Sequence, residues 1–462
     1  MLALDDGSRT FGRREFLRIG SLGIAGLALP SLFAARGMAG EPSSCATGKS
    51  VIFLFQQGGP SQFETFDPKP DASTEIRTIG DLSPTKIPGV AFGETMPQLA
   101  ARADKLTIVR NFHTNNAGHN IVPIVSPDSL DANIGSLYSQ VVGATRADSG
   151  MPTNAVLFPQ SVDRKVTKGA ARGNISATGS LGAASAPFIP GGGGELQKNL
   201  RLNMPVERFD DRNELLRQLR GLSDDLTSSE ALAQVDRFQD QAYQLLLSGE
   251  VAAALDLSKE DPRVVAKYDT AEYVRRDGWS SSARGKRGYY TGSAKSIGKL
   301  LLLARRLCEA GCGFVTIHAD YEGVWDMHAD GNNLNMKDGM EAVGRSFDHA
   351  VSAFIDDLEA RGLRDKILLV ATGEMGRTPR INKNGGRDHW AKLAPLLLYG
   401  GGQEGGRVLG QSTRDGGEPA ADPVNPKNLI STILHTMFDV GKLRLMPGLA
   451  NIARLGEIRP IG

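Results

Sequence analysis

"KILLVATGEMGRTPRINKNGGRDHW", Lys366 to Trp390, carries the decisive pattern of the chain. From Ile367 to Ala371 it is apolar at every position, and beyond Gly373 it turns polar and rich in glycine. A strand with no polar alternation is covered on both faces, as in parallel sheets between two layers of helices. Ligands in such sheets bind just past the carboxyl ends of the strands. Glu374, Arg377, Arg387, Asp388 and His389 all fall there.

The same strand pattern recurs outward from this stretch. "SVIFLFQQGG" (50–59), "LTIVRNF" (106–112), "TNAVLFPQSV" (153–162), "GFVTIHAD" (313–320) and "APLLLYGGG" (394–402) read as further strands. Helical patterns separate them: 96–105, 136–145, 293–310, 425–439 and a long one over 336–361. The last carries a clean stripe at Phe347, Val351, Phe354 and Leu358. Between 165 and 293 the composition shifts to Gly, Ala, Ser and Pro, including "PGGGG" (190–194), followed by helical patterns at 212–226, 229–255 and 258–269. The expected architecture is α/β, with a mostly parallel sheet covered on both sides. The chain divides into a leader (1–39), a linker (40–49), a first core part (50–164), a cap and helical insertion (165–293) and a second core part (294–462).

With 462 residues, 40% hydrophobic and 23% charged, the composition is that of a globular protein. The net charge of +1 becomes −1 once the leader's five arginines and three acids are set aside. A near-neutral body without a basic run gives no electrostatic reason to bind nucleic acid. The leader itself reads "RREFLR" (13–18), then a mildly apolar stretch broken by glycines and Pro30, then small residues near Ala39. Paired arginines before a weak apolar region form the twin-arginine export pattern, which predicts passage through that machinery to the periplasm or beyond. The apolar stretch is shorter and weaker than the roughly 18–20 residues of a membrane span, so cleavage is expected over anchoring. No later segment is apolar enough to span a bilayer. Three cysteines make no disulfide framework; Cys308 and Cys312, at i and i+4, read as thiols packed under the sheet.

The chemistry collects at strand ends. "TIHADYEGVWDMH" delivers His318, Asp326 and His328, and the opening stretch delivers Glu374 and His389. Carboxylates with imidazoles are what a divalent cation accepts, zinc first, with calcium or magnesium as alternatives. Asp326, His328, Glu374 and His389 are the expected ligands, with Gln57, His318 and Asp388 as further candidates. Asp388 could instead orient His389 from behind. Arg377 either grips a substrate anion through its planar fork or pairs with a nearby carboxylate. Arg387 and Ser61 are further anion-binding candidates. His349 and His435 fall on helices and read as surface or packing residues.

With "GGPSQFETFDPKP", "LGAASAPF", "LLARRLCEAGCGFVTI", "VWDMH" and the Glu374-to-Trp390 block in hand, the chain resembles an exported bacterial family related to alkaline phosphatases and sulfatases, known as a domain of unknown function. The resemblance implies an alkaline-phosphatase-like three-layer α/β/α sandwich with an inserted cap. It also implies one or two metals at these strand ends and cleavage of phosphate or sulfate esters, on small molecules or on glycans. Carried over by position, Asp326 and His328 fall in the metal loop, Glu374 where the superfamily has an Asp-His pair, and His389 at its last histidine ligand. Gln57 stands where the first strand's aspartate should be, and Met375 replaces a histidine. The nucleophile position falls in "NFHTNNAGHN", with Thr114 and His119 as catalytic candidates beside Arg377. The other function open at this point is a relative without turnover that binds anionic glycans or scaffolds a periplasmic complex.

Overall fold

The structure, a computed structural model, describes residues 4–5, 10–11, 45–163, 165–167, 172–190, 249–279, 285–319 and 323–462. The leader beyond its two short strands, the "PGGGG" run after Pro190, the helix expected over 212–226 and most of the one over 229–255 lie outside the described residues.

Seven strands form the central sheet. In chain order they are β1 (Ser50–Phe55), β2 (Thr107–Val109), β3 (Asn154–Leu157), β4 (Phe314–His318), β5 (Ile367–Thr372), β8 (Leu396–Gly400) and β9 (Arg407–Leu409). Between β5 and β8, β6 (Gly376–Ile381) and β7 (Arg387–Trp390) pair as a separate antiparallel hairpin. The spatial order is β9-β2-β8-β5-β1-β4-β3. Only β8 runs against its neighbours β2 and β5, and the other four pairings are parallel.

Alternation along each strand builds two cores. Ile52 and Leu54 of β1, with Leu369 and Ala371 of β5, face one cluster; Val51, Phe53 and Phe55, with Leu368 and Val370, face the other. Successive side chains point to opposite faces, so a strand buried at all positions feeds both layers. Helices α2 (Arg287–Glu309) and α3 (Arg345–Arg361) cover the first face, and α1 (Ile134–Val142) and α4 (Pro426–Met437) cover the second. The result is the expected three-layer α/β/α arrangement with a mostly parallel sheet. Among the described residues no helix is long and apolar enough to cross a membrane.

Several elements differ in extent from the sequence pattern. Helix α2 begins at Arg287, six residues before the expected start, because two glycines and no aliphatic residue in Arg287 to Gly292 hide its first turns from an apolar-periodicity reading. The long helix expected over 336–361 is interrupted by a π-helical turn, Met340–Gly344. Half-buried His349 contacts Tyr273 Oη (3.2 Å) and the Lys267 carbonyl (2.9 Å), a packing position, and exposed His435 bonds the Gly456 carbonyl at the surface. Cys308 and Cys312 are buried free thiols in or beside α2. Buried Arg305 of α2 pairs with Glu260 (2.7 Å) and Asp357 (3.1 Å), and Arg361 joins the same two acids, which fastens the segment around Glu260 to α2 and α3.

The layers set a contrast in mutational cost. Phe53→Ala empties a fully buried site under α1 and α4 and should lower stability by roughly 3–5 kcal/mol. Arg380→Ala removes an ion pair to Glu75 whose partners are largely exposed and should change it by less than about 1 kcal/mol. Chemical denaturation of both variants checks this; similar losses in the two would contradict the layering.

Candidate metal centre

Three strand ends and the β6–β7 hairpin meet around one carboxylate. Asp326 lies in the loop after β4, 2% exposed, and its amide closes a turn onto the Gly323 carbonyl (2.8 Å). The preceding Trp325 anchors that turn edge-on against Phe347 of α3. Arg377 and His389 are cross-strand partners in the hairpin, so both reach the same carboxylate. Arg377 Nη2 lies 2.9 Å and His389 Nε2 3.1 Å from Asp326 Oδ1. His328 Nδ1 lies 2.6 Å from the same oxygen, and His119 Nε2 lies 3.2 Å from Oδ2.

Glu374, fully buried just past β5, does not touch Asp326 but stands behind His119. Its Oε1 lies 2.9 Å from His119 Nδ1. The Gly58 amide at the end of β1 donates to both Glu374 oxygens, at 2.8 and 3.1 Å. Gly58 has φ of 118°, and a Cβ there would sit 2.6 Å from the Asp326 nitrogen, so no other residue brings this amide so close. The Glu374 carbonyl in turn accepts from Thr114 Oγ1 at 2.6 Å, which ties the loop of His119 to β5.

The proton positions follow from the partners. His389 Nδ1 faces the Ala117 carbonyl at 2.9 Å and must donate to it. The neutral ring then presents an Nε2 lone pair to Asp326 Oδ1, an arrangement closed only by a proton or a cation between them. His119 repeats the pattern, with Nδ1 donating to Glu374 and Nε2 toward Asp326. Burial pulls the His119 pKa down, but hydrogen bonds to Asp326 and Glu374 outweigh it and the net shift is upward. His328 is raised by its hydrogen bond to Asp326, against a smaller effect of burial, and its Nε2 lies 2.9 Å from Asp330. For Asp326, burial pushes upward, yet the bonds from His119, His328 and His389 and the charge of Arg377 hold it far below the usual carboxylate range.

His119, Asp326 and His389 each offer a ligand atom within 4.8 Å of the others, a group that could hold a metal ion. Of the four expected ligands, Asp326 and His389 belong to it, His328 flanks it on Asp326, and Glu374 backs it through His119. His119, expected in a catalytic role near the nucleophile, is the third member. Its place after β2, in the stretch where the family resemblance puts the nucleophile, pointed to it in the sequence.

The remaining candidates are engaged elsewhere. Arg377 is fully buried and donates to the carbonyls of Gly58, Gly59, Trp325 and Arg387 as well as to Asp326, so it is the structural pair and not the free anion clamp. Arg387 and Ser61 do bind an anion, but it is the chain's own buried Glu64. Gln57 Oε1 accepts from His318 Nε2 at 2.8 Å, and burial lowers His318 to about 4, so this pair is neutral. Asp388 is exposed and bonded to Asn382; the Ala117 carbonyl, not Asp388, orients His389. Thr114 is spent on the Glu374 carbonyl.

A family model described as "Protein of unknown function (DUF1501)" matches residues 48–447. No curated protein matches the sequence. Among solved structures the chain is similar to a sulfatase from Pseudoalteromonas sp. at 11% identity, over 88% of this chain and 70% of that one, with a TM-score of 0.35. It is also similar to a phosphonate monoester hydrolase from Silicibacter pomeroyi (10%, 84% and 73%, 0.31) and to an alkaline phosphatase from the Antarctic bacterium TAB5 (13%, 79% and 95%, 0.27).

The raised imidazoles give the metal-free protein a pH signature. His119 and His328 hold protons more tightly folded than unfolded. Their stabilisation is complete below the unfolded imidazole value of about 6.5 and is lost as pH rises through the raised folded values. Asp326 acts in the opposite sense, but only at strongly acid pH. The urea midpoint of chelator-treated protein should therefore fall as pH rises above about 6.5, and fall less in His328→Gln. Equal slopes in the two proteins would contradict the assignment.

Proposed function

The chain belongs to the DUF1501 family, and from its site we propose a hydrolase of phosphate or sulfate esters that works with one divalent cation held by His119, Asp326 and His389. The observation that carries this reading is the pair of committed Nδ1 atoms. Glu374 and the Ala117 carbonyl fix both rings so that both Nε2 lone pairs converge on Asp326. A carboxylate or carbonyl behind each imidazole is the arrangement that orients metal-ligating histidines. Two imidazoles and one carboxylate suit zinc; calcium and magnesium prefer all-oxygen shells and fit this donor set poorly. Bound there, such a cation supplies Lewis acidity to an ester oxygen and neutralises its charge.

The chain's own groups define the rest. Arg377 pins Asp326 by one oxygen and balances its charge. His328, between Asp326 and the exposed Asp330, holds a proton at the edge of the site, where a leaving oxygen could take it. The Thr114 hydroxyl already serves the Glu374 carbonyl, so the attack falls to water rather than to that side chain. Substrates would be small-molecule or glycan esters. The paired leader arginines Arg13 and Arg14 support export by the twin-arginine route to the periplasm.

One observation favours a second reading, a binding or scaffolding protein without turnover. Arg377, Arg387 and Ser61 are all consumed internally, which leaves an anionic ester without their help.

Metal analysis of protein purified without chelators, with an aryl-phosphate and aryl-sulfate screen, separates the two. The hydrolase reading expects about one equivalent of metal and hydrolysis that drops at least about 100-fold in His389→Ala while the fold is kept. Stoichiometric metal with no hydrolysis of either ester, and glycan binding unchanged in His389→Ala, would favour the second. Absence of metal would remove the first.

A further inference from the structure

Lys286 and Asn333 have no role in the account so far, yet both lead to Asp326. We infer that they form a positioning pair that sets the plane of the Asp326 carboxylate toward the cation; the inference rests on the metal centre proposed above.

Asn333 is 5% exposed, and its Nδ2 lies 3.3 Å from Asp326 Oδ2 and 3.2 Å from Asp330 Oδ1. Its Oδ1 accepts from Lys286 Nζ at 2.6 Å. The two ends of an amide are nearly the same shape, and hydrogen-bond partners decide which way it faces. An ammonium on the oxygen end and two carboxylates on the nitrogen end leave one orientation, with Nδ2 donating to Asp326. The backbone is fixed as well, since the Asn333 amide bonds Asp330 Oδ1 at 3.1 Å.

The pair matters because of what stands opposite. Arg377, His328 and His389 all crowd Asp326 Oδ1, whereas among the described residues only His119 and Asn333 approach Oδ2. A carboxylate anchored at one oxygen can still swing about its Cβ–Cγ bond. Asn333 is the non-ligand donor on the second oxygen, so with Arg377 on the first it fixes that rotation. Lys286 immediately precedes α2, the longest helix among the described residues, whose buried face is set in the first core. The amide is thereby tied to the start of α2 as well as to its own loop. Removal of a hydrogen-bond partner behind a metal ligand typically weakens metal binding about 10–100-fold.

The test uses the full chain and measures binding of Zn²⁺ and Co²⁺ against a chromophoric chelator, together with the visible spectrum of the Co²⁺ form. Wild type, His389→Ala, Asn333→Leu, Lys286→Met and Lys286→Arg are compared, with thermal unfolding of each chelated form as the folding control. Asn333→Leu should weaken both metals about 10–100-fold and shift the Co²⁺ spectrum. Lys286→Met should move both readouts in the same direction by less, and Lys286→Arg should restore them. If Asn333→Leu fails to fold, the lysine variants decide alone. Wild-type affinity and spectrum in Asn333→Leu and Lys286→Met, alongside lost binding in His389→Ala, overturn the positioning pair and leave the metal centre standing. Failure of wild type to bind either metal removes the centre, and this inference with it.

Discussion

A single buried carboxylate organises this molecule's polar interior. A charge out of water is costly unless it is paired and hydrogen-bonded, and Asp326 meets that demand with an arginine, three imidazoles and an amide drawn from the loop after β2, the loop after β4 and the hairpin. Each feature around it serves to bring one donor into range. The hairpin places Arg377 and His389 side by side, and the glycine at 58 lets a backbone amide hold the glutamate that turns His119. Lone pairs are in surplus, because imidazoles whose Nδ1 hydrogens are given to Glu374 and to the Ala117 carbonyl turn Nε2 acceptors toward the same acid. The excess is what makes the cluster a candidate place for a positive ion.

Much of the frame was legible in the sequence because its strands are apolar throughout, and full burial leaves no room for polar alternation. The reversed direction of β8 was not, since a buried antiparallel strand has the same composition as a parallel one. Nor was the π-helical turn at Met340–Gly344, which keeps the helical spacing of the apolar residues almost unchanged. In the site, Asp326, His328, Glu374 and His389 followed from the rule that loops at strand ends carry chemistry. The way they divide did not. Whether a carboxylate faces a cation or stands behind a histidine depends on an ångström or two of loop path. For that reason Glu374 stands behind His119, and His119 takes the place among the candidate ligands that was expected of Glu374. The partner of His389 is a backbone carbonyl, and no residue identity encodes such a partner.

The fate of the arginines shows the limit of reading charge from a motif. Arg377 and Arg387 stand where an anion clamp would be useful, and each is buried against the chain's own acid and a set of carbonyls. A guanidinium offers five donors in a fixed fork. Where backbone carbonyls crowd a tight loop, that fork satisfies several at once, and a lysine could not. The density of charge in "GEMGRTPRINKNGGRDHW" thus reflects the loops' own hydrogen-bonding needs as well as any ligand's.

The hydrogen bond from the Gly58 amide to Glu374 joins residues 316 positions apart, and His119 and Glu374 are 255 apart. Closing such spans is a late event, because chain entropy must be overcome before the contacts reward it. A nascent chain that has reached Asp326 holds two of the three donors but neither the hairpin nor His389. The candidate trio is therefore complete only once the chain through His389 has been made. Any ion those atoms take would meet all of them only on a chain already folded back on itself.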